Sequence, residues 1–311
     1  MQSQIRTLRQ GLRFQAPKAR ASGYRKSKPL LWLLPSLILI GGVILYPAIQ
    51  MAQTSLSNIS LSGLNRGFIG LSNYRDLFSE PGLLRVFKQT MVWVAGIVAV
   101  ATMLSMALAQ LLNQKFPGRR VLRWIVIIPW AAPVVTTVLS FKWMMNYYYG
   151  AANVVLIHMH ILHQPVDWVG NTSTSFYSVM LVDIFLSIPF TAYVLLAGLQ
   201  VISLDLYEAA QLDGAGRWRT YWSIVFPLLR PALIVATVLN VIYTFNTFPV
   251  IWLMTQGGPG NSTDITATLM YKLAFQNRRI GEAGALSVLN LVVILMLAFV
   301  YLRAVNRRKV I

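Results

Sequence analysis

The segment EAAQLDGAGRWRTYWSIVFP, from Glu208 to Pro227, joins two stretches that are apolar enough to lie in a lipid bilayer. It carries two carboxylates and two arginines, and three of its residues interrupt helices, namely Gly214, Gly216 and Pro227. Helices that pack side by side need a connection of only about 2–8 residues. The length and polarity of this loop therefore indicate that it has a task of its own.

The composition is that of a membrane protein. Of the 311 residues, 56% are hydrophobic and only 12% are charged, whereas a soluble domain carries about 25% charged residues. The chain contains no cysteine, which excludes disulfides, thiolate catalysis and cysteine-ligated zinc.

Six apolar segments are long enough to cross a bilayer, which takes about 20 residues. They cover residues 30–51, 86–112, 121–144, 176–199, 228–254 and 283–302. The first run is longer than the core of a signal peptide and five more follow, which favours a membrane span over a cleaved leader. We therefore predict an all-α polytopic membrane protein with about six transmembrane helices. A basic tail (1–29) would precede the transmembrane domain (30–305), and a short basic tail (306–311) would follow it.

Lysines and arginines are distributed unequally between the two sides of the predicted spans. Nineteen lie in the two tails and in the loops after the second and fourth spans, which face the same side. Seven lie on the opposite side, and Lys142 lies near the end of a span. Because cytoplasmic loops are enriched in these residues, both termini and the 208–227 loop are predicted to be cytoplasmic. The net charge of +18 is then explained by membrane anchoring, and no nucleic-acid partner is expected. The IRTLRQGLRF stretch (5–14) fits either a short basic amphipathic helix on anionic lipid or a disordered basic tail.

The 203–227 region reads as a short helix, a bend and a second short helix. Ser203 is suited to cap the first helix, and Asp205 lies where the helix dipole favours an anion. Gly214 and Gly216 predict the bend, and Pro227 is expected to stop the second, aromatic segment before the next span. From the residues alone, two interpretations stay open, a surface for a protein partner and an interfacial linker.

The same region resembles the EAA motif of ABC importer permeases, through Glu208-Ala209-Ala210, Gly214, Ile224 and Phe226-Pro227. The family usually has Leu where this chain has Phe226. The resemblance implies a type I ABC importer permease fold in which 203–227 forms a coupling helix against a cytoplasmic ATPase. It implies that Glu208 meets a basic group of the ATPase, that Ala209 and Ala210 allow close approach, and that Asp213-Gly214 forms the bend.

Two further stretches are similar to the carbohydrate-importing branch of that family. They are FIGLSNYRDLF (68–78) and LMTQGGPGNSTDITATLMYKLAF (253–275), the second containing the outer-loop residues Gly257, Gly258 and Pro259. The resemblance implies a permease for a disaccharide or oligosaccharide, of the trehalose or maltose type, in the bacterial inner membrane. Glycerol phosphate or another non-sugar solute is the alternative. The implied partners are a second permease, two ATPase subunits that bind ATP and magnesium, and an extracytoplasmic solute-binding protein.

Polar residues inside the apolar segments are candidates for the substrate path, since such residues are costly in a membrane. The candidates are Asp183, Ser187, Asn240, Tyr243, Thr244, Asn246, Thr247 and Asn290. Amides, carboxylates and hydroxyls can bond sugar hydroxyl groups. The alternative is that they hold helices together.

No chemistry of its own is predicted for this chain. It contains no G-x-x-x-x-G-K-[ST] phosphate-binding loop, so it is expected to be a transport subunit with no catalytic residues and no cofactor. His158, His160 and His163, together with Asp167, could hold a metal in an integral membrane enzyme. Half-exposed loop histidines are the preferred interpretation, and no metal site is predicted.

Overall fold

The computed structural model describes residues 27–60 and 62–306. The predictions for the first 26 residues and for the basic residues after 306 lie outside these ranges. One compact unit of the chain ends at Gln50 and a second begins at Met51. The first contains α1 (Ser27–Leu39), a π-helical stretch (Ile40–Leu45) and the start of α2 (Tyr46–Ser55).

In its described residues the second unit consists of helices, connecting loops and one small hairpin. Its strands are β1 (Ser57–Ile59) and β2 (Asn65–Phe68), which pair antiparallel with Ser57 opposite Phe68. Its helices are α3 (Ser72–Phe78), α4 (Leu83–Asn113), α5 (Arg119–Ala131), α6 (Val134–Met144), α7 (Ala151–His158), α8 (Ser175–Gln200), α9 (Leu204–Leu212), α10 (Arg217–Thr220), α11 (Phe226–Phe245), α12 (Phe248–Met254), α13 (Thr266–Tyr271) and α14 (Ile280–Asn306), with π-helical stretches at Tyr221–Val225 and Lys272–Gln276.

The membrane-spanning character is confirmed. Five helices in the described residues are long and apolar enough to cross a membrane, or six if α5 and α6 count as one bent span. The five are Trp32–Ser55, Leu83–Asn113, Ser175–Gln200, Arg217–Phe245 and Ile280–Arg303. Pro189 lies inside α8 without breaking it, as membrane helices allow.

The third predicted segment is not one straight helix. α5 and α6 meet at an angle of 94°. The break falls at Ala132, whose backbone is extended (φ −71°, ψ 146°). Pro133 explains the position, because a proline pushes the residue before it out of the helical region and cannot donate a backbone hydrogen bond.

The predicted limits of the fifth segment were wrong at both ends. One continuous helix runs from Arg217 to Phe245, so Pro227 does not stop it. A π-helical stretch, Tyr221–Val225, comes immediately before this proline; such a widened turn accommodates a residue that lacks an N–H group. The helix then ends at Phe245, because Pro249 in α12 cannot donate to the Phe245 carbonyl.

The interior is built mainly from α4, α8 and α11, which pack on one another. Gly198 of α8 is one reason that they approach closely: a Cβ atom there would lie 2.4 Å from the Cβ of Ala232 on α11. At the end of these helices that carries α9, a buried apolar cluster joins all three. We name it the α9-end cluster; it consists of Ala109, Leu112, Leu195, Leu196, Leu199, Val225, Leu229 and Ala236.

The opposite end is held together by a buried apolar cluster and by polar contacts. The Asn73 side chain of α3 donates to the carbonyl oxygens of Ser55 (2.9 Å) and Ser57 (3.0 Å). It also packs on Gly281 at the start of α14, where a Cβ atom would lie 2.5 Å from the Asn73 amide oxygen. The FIGLSNYRDLF stretch therefore has a structural role in fastening Ser55, the hairpin and α14 to one another.

Candidate coupling surface and substrate pathway

The candidate coupling helix α9 begins as the sequence predicts. Ser203 is its N-cap, and its hydroxyl oxygen accepts a hydrogen bond from the backbone N–H of Asp205 at 3.3 Å. Asp205 lies in the first turn, where the helix dipole stabilises a negative charge. The start of α9 is thus fixed by local interactions, without help from a partner.

The end of α9 is a Schellman motif centred on Gly214. The Gly214 N–H donates to the Gln211 carbonyl (3.0 Å), and the Ala215 N–H donates to the Ala210 carbonyl (2.9 Å). This pair of bonds requires a residue in the left-handed region, and Gly214 has φ +71°. The predicted bend at Gly214 is confirmed, and its cause is the backbone conformation, since no atom lies within 4 Å of a Cβ placed there.

The motif residues lie on different faces of α9. Glu208, Ala209 and Asp213 are exposed, so their side chains are free to meet a partner. Ala210, by contrast, is only 4% exposed. The expectation that both alanines admit a partner therefore fits Ala209 alone, whereas Ala210 allows α9 to lie close against its own chain.

Tyr207 connects α9 to the transmembrane helices. Its ring packs against the α9-end cluster, to which α4, α8 and α11 all contribute. Burial raises the pKa of the Tyr207 hydroxyl group above its usual value. The Tyr207 ring therefore joins α9 to the packing of these three helices.

An aromatic row continues from the bend into the fifth span. The rings of Trp218 and Trp222 lie 5.8 Å apart, and those of Trp222 and Phe226 lie 5.0 Å apart. The two tryptophans are exposed. Because the helix is continuous from Arg217 to Phe245, only residues 213–216 separate α9 from a membrane-spanning helix.

Six of the eight candidate substrate-path residues are buried inside this chain. Asp183, Ser187, Asn240, Thr244, Thr247 and Asn290 are all at most 7% exposed. Tyr243 and Asn246 are exposed. Thr247, expected on the same helical stripe as Asn240, instead follows the end of α11 and is the N-cap residue of α12.

Asn240 has a structural partner. Its side-chain amide donates a 2.9 Å hydrogen bond to the Thr191 hydroxyl group of α8, and that hydroxyl donates to the Ser187 carbonyl oxygen at 2.8 Å. This contact fastens α11 to α8 within the span, as interhelical hydrogen bonds do in membranes.

Four other buried candidates present polar atoms without a hydrogen-bond partner among the described residues. These atoms are both carboxylate oxygens of Asp183, the hydroxyl groups of Ser187 and Thr244, and the amide oxygen of Asn290. Trp93 Nε1 on α4 is in the same condition; sequence reasoning missed it, because a single tryptophan in an apolar run is no signal of a pathway. Unpaired buried polar groups are costly, so these atoms differ from the Asn240 amide, which is paired within the chain.

The Gly-Gly-Pro loop is tightly braced. Gly257 has φ +87°, and a Cβ atom there would lie 1.9 Å from Asp264 Oδ1. Asp264 forms an ion pair with Lys272 (2.7 Å), and the Thr263 hydroxyl group donates to the Gly258 carbonyl oxygen (2.9 Å). Sequence reasoning missed the Asp264–Lys272 pair; the only available signal was that two opposite charges lie eight residues apart in a chain with few acidic residues.

The histidine segment lies at the end of α7. His158 Nδ1 is 3.3 Å from the Val154 carbonyl oxygen, and His160 Nδ1 is 3.0 Å from the His158 carbonyl oxygen. Asp167 accepts a bond from the Gly170 N–H (2.7 Å). Across the described ranges, no three histidine, aspartate or glutamate side chains converge as a metal-binding group.

Comparison with known proteins gives a consistent result. Residues 101–311 match the family described as "Binding-protein-dependent transport system inner membrane component". The chain is 38% identical to a probable ABC transporter permease of Brucella suis over 91% of this chain and 98% of that protein. It is 35% identical to the trehalose/maltose transport system permease of Thermococcus litoralis, over 92% and 96%. It is 34% identical to the sulfoquinovosyl glycerol transport system permease of Agrobacterium fabrum, over 90% of each.

The fold has a close counterpart among solved structures. A chain of a bacterial ABC transporter involved in the import of alginate superposes with a TM-score of 0.79, over 90% of this chain and 95% of that chain, at 22% identity. This likeness confirms the expected fold, an ABC importer permease with several transmembrane helices. The chain belongs to the family of binding-protein-dependent transport system inner membrane components, and it is a permease of the carbohydrate-importing ABC type.

Proposed function

We propose that this chain translocates a disaccharide or small oligosaccharide, of the trehalose or maltose type, across the bacterial inner membrane, with both termini in the cytoplasm. Relatives named for trehalose/maltose, sulfoquinovosyl glycerol and diacetylchitobiose share a glycoside as cargo. Their sugars differ, so the relatives support the chemical class more strongly than one compound.

We further propose that the chain works within an assembly. A second permease completes the pathway, two ATPase subunits bind ATP and magnesium in the cytoplasm, and a solute-binding protein delivers the sugar from outside. Closure of the ATPases moves α9, and α9 moves the ends of α4, α8 and α11, so that the pathway opens alternately to each side.

One observation carries this proposal: α9 is capped at both ends and packs through Tyr207 and Ala210 on its own chain, yet keeps Glu208, Ala209 and Asp213 exposed. A helix that is fixed on one face and free on the other is suited to transmit a movement. The exposed carboxylates would meet a basic surface of the ATPase.

The test is sugar-stimulated ATP hydrolysis by the assembly, purified after co-expression with its neighbouring genes. Candidate sugars are supplied with the binding protein, and ATPase activity and uptake are both measured in proteoliposomes. Glu208→Lys is expected to abolish stimulation, because it reverses the charge that faces the ATPase. The matched control is Gln114→Lys, which adds a positive charge to another exposed position at the same end of the helices.

Normal coupling in Glu208→Lys would contradict the role assigned to α9. Stimulation by glycerol phosphate, or by another non-sugar solute, would instead support the alternative cargo. A membrane-embedded metal enzyme is the candidate of another class, and metal analysis of the same purified sample would reveal it.

A further inference from the structure

A surface cavity of about 490 Å³ lies between α5 and α8. It is lined by Arg120, Arg123, Trp124 and Ile127 of α5 and by Tyr193 of α8. The α5 residues follow the spacing i, i+3, i+4 and i+7, which places them on one face of the helix. Two guanidinium groups, two aromatic rings and an aliphatic side chain therefore share one groove.

Arg123 is held in place at this groove. One of its terminal nitrogens donates to the Leu112 carbonyl oxygen at the end of α4 (3.0 Å). The Tyr193 hydroxyl group donates to the Arg123 backbone carbonyl oxygen (2.6 Å). The Nε atom of Arg123 is buried and has no hydrogen-bond partner, so one donor of a fixed guanidinium group stays unsatisfied.

No carboxylate in the described part of the chain forms an ion pair with Arg120 or Arg123; the ion pairs found there involve Lys272 and Arg279. A guanidinium group without a carboxylate partner is stabilised by an anion, and its planar donor set matches phosphate geometry. The groove therefore has the chemistry of a phosphate site.

The order of residues along α5 distinguishes a lipid from a free anion. The arginines lie toward the start of the helix, Trp124 follows, and Ile127 lies about 10 Å beyond Arg120 at 1.5 Å per residue. From the surface into the membrane, the arginines would lie at the level of a lipid phosphate. Trp124 would lie at the headgroup boundary that tryptophan prefers, and Ile127 would lie beside the first part of an acyl chain. A free phosphate ion would make no use of the apolar half.

We infer that this groove binds one anionic phospholipid, with its phosphate between Arg120 and Arg123 and an acyl chain along Trp124 and Ile127. Basic pockets between membrane helices on the cytoplasmic side are suited to such headgroups. The assignment to the cytoplasmic leaflet rests on the orientation given under the proposed function. The existence of the site does not depend on that orientation.

The test measures lipid bound to the complete assembly, purified in mild detergent, by native mass spectrometry after addition of phosphatidylglycerol or phosphatidylcholine. The wild-type assembly is expected to retain phosphatidylglycerol in preference. The double variant Arg120→Gln/Arg123→Gln is expected to lose about tenfold in occupancy, because charge-assisted hydrogen bonds are removed. The control Lys115→Gln/Arg119→Gln removes the same charge outside the groove and is expected to keep the lipid.

Equal retention by both double variants, or equal loss in both, would overturn the proposal. Arg120→Gln alone leaves the Arg123–Leu112 contact intact and is expected to reduce occupancy in the same direction, which covers the case in which the double variant does not fold. Displacement of phosphatidylglycerol by inorganic phosphate would indicate a free-anion site and overturn the lipid assignment. A photo-reactive residue placed at position 124 that cross-links to another protein subunit would also overturn the lipid assignment. The readout is lipid mass, so it does not depend on which sugar is carried.

Discussion

Lys272 Nζ lies 2.7 Å from Asp264 Oδ2, and the pair sits directly against the bare Cα of Gly257. A Cβ atom on that residue would lie 2.7 Å from Lys272 Nζ and 1.9 Å from Asp264 Oδ1. Asp264 also accepts a bond from the Thr268 hydroxyl group (2.8 Å). The second position of the Gly-Gly-Pro stretch is less constrained, since a Cβ atom on Gly258 would meet only the Thr255 carbonyl oxygen at 3.2 Å.

Gly257→Ala should therefore destabilise the loop in two ways. An alanine at φ +87° costs about 1–2 kcal/mol in the left-handed region, and the added methyl group also displaces the ion pair. Gly260→Ala is the control, because Gly260 has φ +55° but no atom within 4 Å of the position that a methyl group would take. Thermal unfolding of the purified protein should show a larger loss for Gly257→Ala. Equal losses would mean that the Asp264–Lys272 pair does not need the glycine.

Gly198→Ala should weaken the packing of α8 on α11. The new methyl group would lie 2.4 Å from the Ala232 Cβ, and such overpacking costs about 1–3 kcal/mol. Gly96→Ala in α4 is the matched control, since its methyl group meets only the flexible end of Met180 at 3.2 Å. The check is the thermal midpoint of both variants in detergent. If Gly198→Ala is as stable as Gly96→Ala, close contact at Gly198 is not required.

Gly214→Ala should loosen the end of α9 and reduce coupling. The cost of the left-handed conformation is about 1–2 kcal/mol for alanine, and the two Schellman hydrogen bonds would be strained. Gly214→Asn should retain more activity, because asparagine tolerates this conformation better. Sugar-stimulated ATP hydrolysis is the measurement. An alanine variant as active as the asparagine variant would show that the backbone conformation at the bend is unimportant.

Asn240→Ala and Tyr243→Ala should separate helix packing from substrate passage. Loss of the Asn240–Thr191 bond should lower stability by about 0.6 kcal/mol, the average for interhelical hydrogen bonds in a membrane protein, and by no more than about 1.7 kcal/mol. The Tyr243 side chain is 45% exposed on this chain, so its replacement should mainly alter the apparent KM for the sugar. Thermal unfolding and proteoliposome uptake measure the two effects. Unchanged uptake in Tyr243→Ala would remove this residue from the substrate path.

The amino-acid sequence alone determined the class of the protein and most of its local structure. Apolar runs of about 20 residues can be satisfied only by helices in a bilayer, so most of the spans were predictable to within a few residues. Ser203 and Gly214 act through hydrogen bonds within five residues of themselves, so the start and the end of α9 were predictable too.

Tertiary structure decided which of the polar and small residues face inward. Asn240 could have lined a pathway or bonded a neighbouring helix, and only its distance to Thr191, 49 positions away in the sequence, shows the second contact. Ala209 and Ala210 are identical side chains, yet only Ala210 is buried. These outcomes depend on contacts between distant segments, which local sequence patterns do not record.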